Sequence, residues 1–369
     1  MTELEEARKK ISAIDRDMAR LFVERMRVVE GVAAYKKLNG LPVTDPAREE
    51  AVLDLNCRLV EDPVLQEYYV PFIKGVMAYS SAYQERLLEG MKVAYCGVPG
   101  SFSFIAARHL YPTAALVPYQ DFEAAYKACE SGAVDAVLLP LENSFAGDVG
   151  NVMDMAFSGS LFVNKVIDVD VNQNLLGIKG AGKDGVRKVV SHPQALAQCV
   201  RYIHENGFEV VEMSNTAVAA QYVADLGDPS VAAIASYEAA DLYGLEVLER
   251  RINTGRTNTT RFATFTRNRN MPAGRGRMDE CFILVFTVAN EAGALAKTLN
   301  IIGSHGFNMC NLHSRPMKEL MWNYYFFVEL EGNVNTPDGE DLLRQLGSVC
   351  EKLRLLGTYK RDTYTGGEE

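Results

Sequence analysis

The chain has 369 residues, 48% of them hydrophobic and 23% charged, with a formal net charge of −10 at pH 7. That length exceeds one ordinary single-core domain and the mix is globular throughout, which excludes both a small stapled scaffold and a disordered chain. The acidic balance speaks against a general binder of nucleic acid or anionic membranes, which needs a positive field, but leaves room for a small anionic substrate held by a few placed cations.

The first ten residues are charged and helix-forming, and no apolar run reaches ~18 residues, so neither a secretory signal nor a membrane span is expected. Seven scattered cysteines form no Cys-x-x-Cys or Cys/His metal spacing, which points to reduced thiols in a cytoplasmic protein. From Leu4 to about Leu88 the pattern is helical. Leu4, Ala7, Ile11, Ile14, Met18, Leu21, Arg25, Val28, Val32 and Tyr35 alternate spacings of three and four, a coiled-coil-like seam. A helix of ~33 residues is ~50 Å long, more than a small domain can cover, so the seam predicts an intertwined dimer. Arg25 falls where the seam should be dry, so it holds an anion, forms a buried ion pair with a glutamate, or kinks out to the surface.

Arg8-Lys-Lys-Ile-Ser-Ala-Ile-Asp15, Glu24-Arg25, Lys36, Pro42-Val-Thr-Asp45-Pro-Ala-Arg48-Glu49 and the Ser80 to Gln84 face together resemble the all-helical chorismate mutase domain. The resemblance implies that Arg8 of one subunit and Arg25 of the other bind the two carboxylates of chorismate, assisted by Arg48 and Ser80, with Asp45 ordering the site. It also assigns Lys36 and Gln84 to the ether oxygen and Glu49 to the ring hydroxyl. The rearrangement to prephenate needs a compact conformer and stabilised charge on the breaking ether, but neither nucleophile nor metal.

From Met91 to about Arg267, short apolar runs such as Lys92 to Cys96, Asp135 to Leu139, Val186 to Val190 and Val231 to Ala235 alternate with helical stretches, an α/β pattern. Tyr95-Cys-Gly97-Val-Pro-Gly100-Ser-Phe-Ser103 reads as strand, glycine turn and helix start, but is neither a Walker A loop nor a dinucleotide turn. Polar loops at Glu142-Asn143-Ser144, Ser191-His-Pro-Gln194 and Asn215-Thr216 follow other strands; they either share one cleft or simply cap helices. With Leu242-Tyr-Gly-Leu245 and Thr260-Arg261-Phe262, these segments resemble prephenate dehydratase, a fold of two α/β lobes like a periplasmic binding protein. That resemblance implies Thr260 as the main catalytic hydroxyl, Glu142, Asn143, Ser191 and Gln198 as substrate contacts, and Arg261 as a carboxylate partner. Many relatives carry a histidine before Leu175-Leu176, where this chain has Asn172-Gln173-Asn174.

Asn268 to Met278 reads as a polar linker, and the order β-α-β-β-α-β after it as a small ferredoxin-like domain, with a helix over Gly339 to Leu353 and a last strand near Leu355 to Lys360. Gly293-Ala294-Leu295 at a helix start and His313-Ser314-Arg-Pro on a strand resemble the ACT domain of such enzymes, which pairs in dimers and binds phenylalanine; relatives usually have Glu where His313 stands. The expected organisation is therefore a mutase domain (1–89), a dehydratase domain (91–267), a linker (268–278) and an ACT domain (279–369). The expected function is conversion of chorismate through prephenate to phenylpyruvate, without cofactor or metal, by a homodimer or higher homo-oligomer with phenylalanine as effector. The rival readings are an amino-acid-sensing dimer without catalysis, disfavoured by Arg25 and its neighbouring cations, and a mutase fused to a dehydrogenase, disfavoured by the missing dinucleotide turn.

Overall fold

The computed structural model describes residues 2–255, 258–270, 280–317 and 323–366, so most of the expected linker lies outside the described residues. The chain divides into two compact units, Met1–Met91 and Lys92–Glu369. Among the described residues no helix is long and apolar enough to cross a membrane.

The first unit is three helices, α1 (Glu3–Asn39), α2 (Pro46–Cys57) and α3 (Pro63–Glu89). Each starts at a side-chain cap: Thr2 and Glu5 form a reciprocal capping box, and Asp45 and Asp62 accept from the first-turn amides ahead of Pro46 and Pro63. Among the described residues this unit buries only Val29, Ala33, Ser80 and Gln84. Leu4, Ile11, Ile14, Met18 and Leu21 are each 46–59% exposed. The expected seam also splits. Val28, Val32 and Tyr35 stay exposed while Val29 and Ala33 pack inward, because a 3.5-residue stripe drifts ~20° per heptad around a straight helix of 3.6 residues per turn.

The second unit begins with β1 (Lys92–Cys96), α4 (Phe102–Leu110), β2 (Ala115–Tyr119), α5 (Phe122–Ser131), β3 (Ala136–Asn143), β4 (Gly147–Asp148), α6 (Gly150–Ser158) and β5 (Phe162–Asp170). The chain then crosses to a second lobe of β6 (Asn174–Gly177), β7 (Lys188–Ser191), α7 (Pro193–Gln198), α8 (Val200–Asn206), β8 (Glu209–Glu212), α9 (Thr216–Leu226), β9 (Val231–Ala235), α10 (Tyr237–Tyr243) and β10 (Glu246–Glu249). It returns through β11 (Thr259–Thr266), which lies between β3 and β5 and antiparallel to both. Two sheets joined by two crossovers give the two-lobed plan of a periplasmic binding protein.

The C-terminal segment is β12 (Glu280–Thr287), α11 (Ala294–Ser304), β13 (Asn308–Pro316), β14 (Tyr324–Glu331), α12 (Pro337–Leu346) and β15 (Lys352–Tyr364), in the ferredoxin-like strand order β13-β14-β12-β15. It is not set apart from the first lobe. The distal half of β15 pairs in parallel with β5, so one ten-stranded sheet runs through both. Cys281, Ile283, Val285, Tyr325 and Phe327 share a core with Tyr126, Leu139, Val163 and Phe265 of the lobe, and the opposite sheet face packs on α11 and α12. The expected last helix is seven residues too long, since Lys352 and Leu353 already pair with Thr287 and Phe286.

Candidate active sites

In the helical unit, Arg25 of α1 donates to the hydroxyl of Ser80 on α3, and Ser80 donates to Val76 O at 2.8 Å. Gln84, one turn further, donates to Ser80 O at 3.3 Å, while its buried Oε1 has no partner among the described residues. Lys36 lies on the same face of α1 and donates to Val43 O at 2.5 Å. Arg25 and Lys36 thus bracket about three helical turns, ~16 Å, of a polar line. Asp45 is spent on capping, accepting from Arg48 N at 3.1 Å; Glu49 is half-buried beside it, and Arg48 is exposed. Arg8 is exposed and lies ~26 Å along α1 from Arg25, so the two cannot meet on one ligand within a single chain.

In the second unit, Thr260 and Asn143 stand opposite each other where β11 meets β3. Asn143 Oδ1 accepts from the amides of Phe145 (3.0 Å) and Ala146 (2.9 Å), which fixes its Nδ2 as the donor to Thr260 Oγ1 (2.8 Å) and Asn258 Oδ1 (2.9 Å). The orientation of Asn258 follows, and leaves its buried Nδ2 as a donor without an acceptor among the described residues. The neighbouring crossover carries Gln173, 2% exposed, which donates to Gln198 Oε1 at 3.3 Å and has its own Oε1 unpartnered among the described residues. Asn258 belongs to the Asn258-Thr-Thr260-Arg261-Phe262 segment and Gln173 to the Asn172–Asn174 segment, but neither is among the expected site residues; their orphaned amide atoms mark them here. Ser191 is fully buried and donates to Ile234 O at 2.5 Å. His192, Asn215 and Ser101 are the caps of α7, α9 and α4, the plainer of the two readings of those loops.

The structure does not bring Glu142 and Arg261 to the side of Thr260. Successive strand residues face opposite ways, so Arg261 and its cross-strand neighbour Glu142 lie on the other face. There Arg261 donates to Asp168 through two nitrogens (2.8 and 3.1 Å), to Glu142 at 2.9 Å and to Glu329 at 3.0 Å. Burial opposes its charge, but these carboxylates outweigh burial and raise its pKa. Both residues, expected at the substrate, are engaged with protein partners here, Arg261 with three carboxylates and Glu142 with Arg261 and Asn311. Asp168 and Glu329 escaped sequence reading because their contacts depend on long-range strand order.

His313, expected at the effector site, lies among carboxylates. Its Nδ1 lies 2.8 Å from Asp148 and its Nε2 3.5 Å from Glu142, so the ring sits between two carboxylates of the first lobe. The Glu142 contact leads in raising its pKa, and His313 in turn lowers that of Glu142. Glu142, Asp148 and His313 approach within 4.8 Å, a ligand set of the kind metals use, but Glu142 already accepts from Arg261 and from Asn311 at 3.0 Å. His313 Nε2 itself has no hydrogen-bond partner among the described residues, only the 3.5 Å ion-pair approach to Glu142. Of the other expected effector residues, Gly293 caps α11 at φ 86°, a left-handed conformation that glycine adopts without strain, Ala294 and Leu295 open the helix half-buried, and Ser314 is exposed.

Residues 7–85 match the type II chorismate mutase family and residues 93–270 the prephenate dehydratase family. A bifunctional chorismate mutase/prephenate dehydratase of Aquifex aeolicus is 30% identical over 368 residues, 98% of this chain and 99% of the relative. Among solved structures, prephenate dehydratase from Arthrobacter aurescens in complex with L-Phe superposes with TM-score 0.66 at 26% identity, covering 73% of this chain and 90% of that one. GqqA, described as a novel type of quorum quenching acylase, does so with TM-score 0.67 at 32% identity, covering 73% and 98%. The mutase and dehydratase matches follow each other here in one chain, and a bifunctional relative of the same span aligns from end to end. The chain belongs to the family of bifunctional chorismate mutase/prephenate dehydratases.

Proposed function

We propose that the helical unit rearranges chorismate to prephenate and that the two-lobed domain converts prephenate to phenylpyruvate, CO₂ and water. The observation that carries the first step is the Arg25–Ser80–Gln84 line with Lys36, a row of donors on a helix face where packing alone would favour apolar side chains. Arg25, Ser80 and Arg48 hold carboxylate oxygens, Lys36 and Gln84 stabilise charge on the departing ether oxygen, and Glu49 takes the ring hydroxyl. Arg8 comes from a second copy. The exposed stripe of Leu4, Ile11, Ile14, Met18 and Leu21 supports that arrangement, since a unit burying four side chains among its described residues needs a partner to complete a core.

In the dehydratase step, Thr260 donates to the leaving hydroxyl while Asn143, Gln198 and Ser191 order the cleft, and aromatisation drives loss of CO₂. Neither step calls for a cofactor. The C-terminal segment acts as an ACT domain that takes phenylalanine near Gly293 to Leu295, in a cytoplasmic homodimer. The test is incubation of the purified protein with chorismate and no nucleotide: phenylpyruvate is the expected product, prephenate alone would remove the second activity, and unchanged chorismate would remove the first.

A further inference from the structure

The Thr260–Arg261 dipeptide faces two ways. Thr260 and Asn143 engage on one side of the β11–β3 pair; Arg261 and Glu142, one residue along each strand, engage on the side covered by the C-terminal segment. Residues of that cover contact both. The Glu329 side chain is 3% exposed, with Oε2 accepting from Arg261 at 3.0 Å and Oε1 accepting from Arg361 at 2.8 Å and from the Tyr359 hydroxyl. A second grip closes on Glu142, where Asn311 donates at 3.0 Å and His313 bridges to Asp148. Asn311, His313, Glu329, Tyr359 and Arg361 all belong to β13, β14 and β15. Buried ion pairs contribute little net stability, because desolvation offsets much of their attraction. What a guanidinium forked onto three carboxylates does supply is a single geometry.

We propose that the C-terminal domain supplies positioning residues for the dehydratase reaction: Glu329 and His313 fix Arg261 and Glu142, and the peptide bonds to Thr260 and Asn143 carry that fix to the reacting side. The inference rests on the dehydratase reading above. It gives an effector bound to the C-terminal domain a route of one residue to the chemistry, since displacing Glu329 releases Arg261 and lets Thr260 shift. A misplacement of ~1 Å in a reacting group costs on the order of 100-fold in rate.

The test uses the full-length protein. Glu329→Gln is expected to lower dehydratase kcat on supplied prephenate by about 10-fold or more, with KM within about twofold and chorismate turnover unchanged. Arg261→Gln should match it, and the double variant should be no slower than the slower single one, because both changes break one contact. If Glu329→Gln does not fold, His313→Gln at the rim of the junction decides, with an expected kcat loss of about threefold or more at unchanged KM. Wild-type kcat in the deciding variant, a loss confined to KM, or additive losses in the double variant would overturn the proposal. Wild-type protein that leaves prephenate untouched is a separate outcome, and sinks the dehydratase reading itself.

Discussion

A threonine hydroxyl is a poor proton source, so the chemistry of Thr260 turns on where its single hydrogen points. Asn143 donates to Oγ1 at 2.8 Å, which occupies a lone pair and directs the hydrogen elsewhere. Asn143 is itself locked by two backbone amides, so this polarity is set by the loop that follows β3. Thr260→Ser keeps the hydroxyl and is expected to retain most dehydratase activity, whereas Thr260→Val keeps the shape and should lose about 100-fold in kcat with the mutase unaffected. Steady-state rates on prephenate and chorismate check this; a Val variant as fast as wild type would make Thr260 a plain strand residue. The motif was legible in sequence, and so in principle was the opposite facing of Thr260 and Arg261. What no local pattern could supply was the partner of Arg261, because Asp168 and Glu329 reach it from strands roughly 70 to 90 residues away in the chain.

At the scale of elements, α1 is the least self-sufficient part of the molecule. Its 37 residues span ~55 Å, yet only Val29 and Ala33 are buried in the single chain. Met18→Glu puts a charge into the middle of the exposed stripe, where a second copy would have to bury it. The expected result is a monomeric helical unit whose mutase rate falls about 100-fold or more for want of the partner copy's Arg8, with dehydratase activity retained. Sedimentation and chorismate turnover read both effects, and a monomer with full mutase activity would mean that each chain holds a complete site. Helix starts were well marked in sequence, because Asp45, His192 and Asn215 carry their cap acceptors on their own side chains. β15 was not. Its thirteen residues keep two successive partners, β12 and then β5, and the second belongs to a segment read as a separate domain.

At the scale of the whole second unit, one sheet joins the C-terminal domain to the first lobe, and the charged junction around Glu142 and His313 sits on it. The lone substitution His313→Glu would set a third carboxylate against Glu142 and Asp148, so it should weaken the junction. The same geometry fixes a pH dependence. His313 has its pKa raised, first by its contact with Glu142 and then by the charges of Asp148 and Glu142, so its contribution is fully present below its unfolded value of ~6.5 and is lost as pH rises through the folded value. Glu142 has its pKa lowered, chiefly by His313, so its contribution is present above ~4.5 and is lost as pH falls through its folded value. The junction is therefore firmest where both are charged, in mildly acidic solution, and loosens on the alkaline side. His305, raised by Ile301 O and Asp341, adds a slope of the same sign from elsewhere in the domain, so the comparison must be between proteins that both keep it. Thermal melts of wild type and His313→Gln at matched ionic strength, from below pH 6 to above pH 8, make that comparison. Wild type should lose more stability across the range than the variant does, and parallel curves would mean that the His313 charge does not hold the two domains together.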